Sequence, residues 1–307
     1  MRGGWVAGVT RARLLVSRVI GVEHACAVAG CRSLDDGVGV LAGSAYGERV
    51  QVGMDLEAAE RGVAETLLWH LRILAGWLPP GGAGLVRTLA AWFELANIDA
   101  RLAALVSDGR EPPPFALGGL ATAWPRIEQA RSVEEVADVV AGSAWGDPGG
   151  RSPAELSLGL RVAWARRVQD AAPAARDWVA GAVALLLARE LVLDGSHARA
   201  AQLQRLADVG EQALRAGSIH DLQTALPRGA WALQGITEPT DLWRAELRWW
   251  GRLERDAPAL LRTWSDEDVV LASVTVLAID AARAARALRA AAQGGGPELV
   301  EIVDGAL

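Results

Sequence analysis

The sequence predicts an all-α protein built from three similar helical lobes, and three observations carry that expectation. Half of the 307 residues are hydrophobic, and Ala, Leu, Val, Arg, Glu and Gly dominate, with almost no alternating Val, Thr or Tyr runs of the kind that make strands. A run of fifteen residues occurs three times. Each occurrence is followed by two long stretches with apolar residues at helical spacing.

The three copies are SLDDGVGVLAGSAYG from Ser33, SVEEVADVVAGSAWG from Ser132 and SIHDLQTALPRGAWA from Ser218. Aligned without gaps they share Ser at the first position (Ser33, Ser132, Ser218) and an acid at the fourth (Asp36, Glu135, Asp221). They also share an apolar ninth residue (Leu41, Val140, Leu226), Ala at the thirteenth and an aromatic at the fourteenth (Tyr46, Trp145, Trp231). Ser followed three residues later by an acid approximates a capping box, with the two Asp copies shorter than the preferred Glu. Each Ser therefore starts a short helix of about ten residues, which small residues and Gly or Pro then stop. The aromatic lies just past that stop, where packing between the short helix and longer ones is the expected role and stacking on a ligand the alternative.

The stretches between copies read as helix pairs. After the first copy come helices over about 56–78 and 85–106, separated by PPGG at Pro79–Gly82. After the second, GDPGGRSP leads to helices over about 154–171 and 174–193, with a break at Pro173. After the third, EPTD opens a helix to about Trp264, and SDED at Ser265–Asp268 caps another to about Ala292. The copies start 99 and 86 residues apart, which gives lobes over 1–110, 111–196 and 197–307.

Composition narrows the function. All 31 basic side chains are Arg and Trp (13) far outnumbers Phe and Tyr, biases expected of a GC-rich coding sequence. The net charge is −6 and Arg is dispersed, which argues against a nucleic-acid partner. Cys26 and Cys31 are too few for a disulfide scaffold and point to a reducing compartment. Together with His24 they offer three metal-ligand types, but their spacing fits no zinc pattern and a fourth ligand is missing, so neither metal nor cofactor is expected. Arg11, Arg13 and Arg18 interrupt the apolar pattern near the start, unlike a secretory leader. The longest uncharged apolar run, Val269–Ile279, is about half of what spans a bilayer.

Chemistry-bearing motifs are sparse. Without Lys no Walker-type phosphate lysine exists. His70, His197 and His220 lie outside any nucleophile-elbow context, and Asp35 and Asp36 lack the third acid of a diphosphate-binding motif, so a helix cap explains them. Glu94, Asn97 and Arg101 share one helix face, suited to internal cross-helix bonds or to a partner. In the Trp-rich helix after Asp241, Trp243, Leu247 and Trp250 form an expected buried stripe, with Trp249 about 100° away as an exposed anchor.

In this order and spacing the motifs resemble the C-type subunit of bacterial and archaeal V/A-type rotary ATPases, the relative of the d-type subunit of the eukaryotic V-ATPase. The resemblance rests on the turns SAYG and SAWG, on FELANIDARLAAL at Phe93–Leu105 with Glu94, Asn97 and Arg101, on DGREPPPF at Asp108–Phe115, and on the last long helix, Asp266–Ala292. It covers nearly the whole chain. In AGAVALLLARELV (Ala180–Val192), Ala182, Ala184 and Leu187 stand where the family often carries polar residues. The resemblance implies a funnel of three lobes and a non-catalytic central-stalk adaptor, peripheral on the cytoplasmic side of the cell membrane. It would meet the stalk subunits and the membrane rotor ring of an ATPase that carries out proton or other ion transport. The partner-binding residues it suggests are Glu94, Asn97 and Arg101. The alternatives are a helical-repeat scaffold unrelated to ATPases, a divergent paralogue with changed partners, and a helical enzyme acting in an apolar cavity.

Overall fold

The computed structural model describes residues 3–107, 111–193, 210–226 and 228–304, and among them every regular element is a helix. In chain order these are α1 (Gly3–Val16), α2 (Gly21–Ala29), α3 (Leu34–Ala42), α4 (Leu56–Trp77), α5 (Pro80–Val106), α6 (Trp124–Ile127) and α7 (Val133–Ala141). There follow α8 (Pro153–Ala171), α9 (Arg176–Leu187) continued by a π-helical stretch over Ala188–Leu193, α10 (Glu211–Leu214), α11 (Ile219–Ala225) and α12 (Ala230–Leu233). The chain ends with α13 (Leu242–Leu261), α14 (Asp266–Ala292) and α15 (Pro297–Asp304). The chain is thus all-α. The expected lobe boundaries at 110 and 196–197, the segment Asp108–Arg110 and His197 lie outside the described residues.

A short capped helix followed by two long ones occurs three times along the chain: α3 with α4 and α5, α7 with α8 and α9, α11 with α13 and α14. The three starts are alike in detail. Ser33, Ser132 and Ser218 have φ/ψ of −146°/158°, −142°/163° and −143°/163°, and each hydroxyl oxygen accepts the N–H of the acid three residues on. The acids turn to other donors: the short Asp36 and Asp221 accept from the Ser33 and Ser218 hydroxyls, and Glu135 accepts from the Arg131 amide. The one complete capping box described is Ser152 with Glu155, at the start of α8.

Local chemistry explains the departures from the expected bounds. Pro79–Gly82 interrupts the chain for less than its length, because Pro80 sits in the first turn of α5, where its missing N–H costs nothing. The third short helix ends early at Ala225, because Leu226 precedes a proline and is held out of helical geometry at φ −121°, ψ 66°.

By packing, the chain forms two compact units, Met1–Val86 with Trp250–Leu307, and Arg87–Trp249. In the first, α2, α3 and α4 close on the alanine-rich back half of α14. Val28, Val38, Leu41, Tyr46, Val50 and Val63 pack there with Ala284, Ala287 and Leu288. Small residues permit that approach: a Cβ at Gly37 would lie 2.8 Å from Ala291 Cβ, so the first copy has Gly where the others carry Val136 and Leu222. In the second unit Leu158, Val162, Ala184, Leu187 and Leu191 pack with Ile219, Leu222, Leu233 and Ile236. Gly181 leaves room for the Trp231 ring.

Helix α13 overturns the expected tryptophan stripe. Its buried positions are Ala245, Leu253 and Ala257. Trp243 is exposed with the Arg244 guanidinium 5.1 Å from its ring, Leu247 and Trp250 are half-buried, and Trp249 donates its indole N–H to the Trp178 carbonyl at 2.8 Å. The small alanines let the helix seat closely, which puts the bulky indoles on its flanks.

Candidate functional site

Helix α5 carries Glu94, Asn97 and Arg101 on one face, and all three grip the connector between α5 and α7. Glu94, with no exposed surface, accepts the backbone N–H groups of Thr122 (3.0 Å), Ala123 (2.6 Å) and Trp124 (2.6 Å), which open α6. A carboxylate at a helix N-terminus satisfies amides that have no partner within the helix. Asn97, 2% exposed, forms a two-way pair with the Phe115 backbone, donating at 3.0 Å and accepting at 2.7 Å. Arg101 donates to Glu111 (2.7 Å) and to the Ala130 carbonyl. Of the two roles their spacing suggests, internal bonding is the one these contacts make. Glu94 and Asn97 are both buried.

A second buried acid has the same office in the first unit. Asp280 of α14, 4% exposed, accepts the backbone N–H groups of Ile20 (3.2 Å) and Gly21 (3.0 Å) at the start of α2, and the Tyr46 hydroxyl at 2.8 Å. Glu94 and Asp280 each belong to the second long helix of their triplet, and each holds the chain that leads into a capped short helix, α7 and α3 respectively. In the remaining triplet the corresponding stretch holds Glu190, which is also buried. Composition gave no hint of these tethers, because acceptor and donors are far apart in sequence.

The aromatic of the first copy sits beside Asp280. In the first copy the Ser44 hydroxyl donates to the Leu41 carbonyl at 2.6 Å and accepts the Tyr46 N–H at 3.2 Å. In the second, Ser143 does the same with Val140 at 2.7 Å and Trp145 at 3.1 Å. Both turns thus deliver a buried aromatic side chain. Burial pushes the Tyr46 phenol well above its usual range, and the charge and hydrogen bond of Asp280 push it further. Nearby, His70 is lowered to about 4 by burial and by the positive charges of Arg18 and Arg11. Trp145 has no hydroxyl to offer. Its ring instead lies under the Arg167 guanidinium at 4.8 Å; burial lowers the Arg167 pKa from its usual value, and the Glu94 charge opposes that shift. Trp231, half-buried, packs on α9 at Gly181. The packing role expected of the three aromatics is the one these contacts describe.

The long helix after each turn must also come close. A side chain on Gly62 would strike the Arg49 carbonyl, and one on Gly159 the Pro148 carbonyl, while Ala245 occupies the like place in α13. Cys31 donates its thiol to the Ala27 carbonyl at 3.3 Å, and among the described residues no three His, Cys, Asp or Glu side chains are placed to share a metal ion. No described helix is long and apolar enough to cross a membrane. Compared with known proteins, the chain matches no protein-family model and no curated protein.

Proposed function

We propose that this chain is a non-catalytic central-stalk adaptor of a V/A-type rotary ATPase, joining the rotating shaft to the membrane rotor ring from the cytoplasmic side. In this reading the three triplets are three lobes around a funnel, and ion transport belongs to the whole assembly. One observation carries it: Glu94 and Asp280, on equivalent long helices, each anchor the entry to a capped short helix, and Asp280 does so between the last triplet and the first. An element that passes torque is loaded in shear. Buried carboxylates that each take two or three backbone N–H groups fix helix against helix without relying on long surface side chains. The polar groups first singled out on α5 serve that internal fastening, so partner contacts belong to exposed positions.

The test is recovery of the tagged chain from its native membranes at low and high salt, with mass spectrometry of what accompanies it. The proposal expects V-type stalk and ring subunits in both preparations. An intact ATPase that lacks the chain would instead favour a helical-repeat scaffold or a paralogue with other partners.

A further inference from the structure

Four polar side chains of the first unit meet at one small cavity. Tyr46, Thr66, His70 and Asp280 line it together with Arg18 and apolar residues, and its volume is about 10 Å³. Thr66 and His70 lie one turn apart on α4, Tyr46 follows α3, and Asp280 belongs to α14. The least buried of the four, His70, is only 7% exposed. The protons of two are already engaged: the Tyr46 hydroxyl donates to Asp280 at 2.8 Å, and the Thr66 hydroxyl donates to the Gly62 carbonyl at 2.9 Å. His70 is different. No described group hydrogen-bonds its ring, yet neither ring nitrogen is among the sealed, unpartnered atoms of the core, so the imidazole keeps its polar edge on accessible space. A buried ring nitrogen with nothing to bond would be costly.

We infer that the cavity binds one water molecule, which joins the His70 ring to Asp280, Tyr46 and Thr66. Its volume is what a single water needs, and a buried water usually finds about three polar partners. The proton count also selects water. Asp280, Tyr46 and Thr66 have only lone pairs left to offer, while His70, held neutral by burial and by the charges of Arg18 and Arg11, offers one N–H and one bare nitrogen. The occupant must therefore donate to oxygens and still be able to accept from an imidazole, and a water does both. A small cation accepts nothing and would meet the positive field of the two arginines. The bridge ties α4 into the network by which Asp280 holds the start of α2, so α2, α4, α14 and the Tyr46 turn share one set of hydrogen bonds.

Oxygen-17 magnetic relaxation dispersion of the purified chain tests this, because it counts waters held inside a protein far longer than those on its surface. The double variant Thr66→Val, His70→Phe removes two of the four partners and fills space with a phenyl ring. Its dispersion amplitude should fall by one water relative to the wild type, whereas His220→Phe, at an exposed position of the other unit, leaves the amplitude unchanged. Far-UV circular dichroism confirms that each variant is folded. A crystal structure of the wild-type chain gives a second reading that needs no variant: a water oxygen within hydrogen-bond distance of a His70 ring nitrogen and of Asp280 or Tyr46. An unchanged amplitude in the folded double variant would overturn the inference, as would a crystal structure in which the cavity is dry or His70 bonds directly to a protein group. So would stabilisation by ammonium chloride beyond that by sodium chloride, lost in the double variant, which would assign the cavity to a cation. None of these readings depends on the adaptor role.

Discussion

Replacing Asp280 by alanine tests the tethers most sharply. The substitution leaves three donors without their acceptor: the Tyr46 hydroxyl in a buried position and the Ile20 and Gly21 amides in partly buried ones. A buried donor stripped of its partner costs about 1–3 kcal/mol, and partly buried amides recover some of that by bonding to water. Counting the hydroxyl in full and the amides at about half gives a loss of roughly 2–6 kcal/mol. Tyr46→Phe removes one donor and leaves Asp280 its two amides, so it should cost only about 1 kcal/mol. Because the pair is in contact, the double variant should be less damaged than the separate losses predict, by about 1–2 kcal/mol. Urea unfolding followed by circular dichroism gives these values, and amide hydrogen exchange at Ile20 and Gly21 shows whether the start of α2 has come loose. A loss below about 0.5 kcal/mol in Asp280→Ala, with protection at Gly21 unchanged, would refute the tether.

Further outcomes follow from the same contacts. Tyr46 is the only tyrosine in the chain, so alkaline absorbance titration reads it alone; it should resist ionisation near pH 10, and Asp280→Asn should bring its titration down. His70 is held neutral with a pKa near 4 against an ordinary 6.5, so the unfolded chain binds the proton more readily. Its contribution is therefore fully present above pH 6.5 and is lost as pH falls from there toward 4, with a slope of up to about 1.4 kcal/mol per pH unit; His70→Gln should flatten that dependence in urea titrations. Ser33→Ala, Ser132→Ala and Ser218→Ala should each cost about 1 kcal/mol in thermal melts, and three unchanged midpoints would remove the cap assignment. Gly62→Ala and Gly159→Ala should each destabilise by about 1–3 kcal/mol, because the added methyl meets a backbone carbonyl instead of a movable side chain.

Local patterns in the sequence were enough to read the helices and their capped starts. Ser with an acid three residues on is a short-range signal, and its three occurrences give nearly the same backbone angles. Apolar spacing likewise placed α4, α8 and α14 to within a residue or two. What failed to show was set by distant contacts. Tyr46 and Asp280 are 234 positions apart, and nothing near either predicts the other. The face of Glu94, Asn97 and Arg101 was visible, but its occupant was not, since an amphipathic face looks the same whether backbone or a partner covers it. Helix α13 misled for a related reason: hydrophobicity favours Trp as the buried stripe, whereas close helix packing selects Ala245 and Ala257. In the α9 stretch Ala182, Ala184 and Leu187 are apolar, and the π-helical continuation holds the buried acid Glu190.

The most direct test of the adaptor role is ATP-driven ion pumping in inside-out membrane vesicles from cells that make the chain, compared with vesicles from cells lacking it. The account predicts that ATP hydrolysis by the V-type head persists while ion uptake collapses, and that the wild-type chain restores uptake. Ion uptake unchanged in the absence of the chain would contradict it.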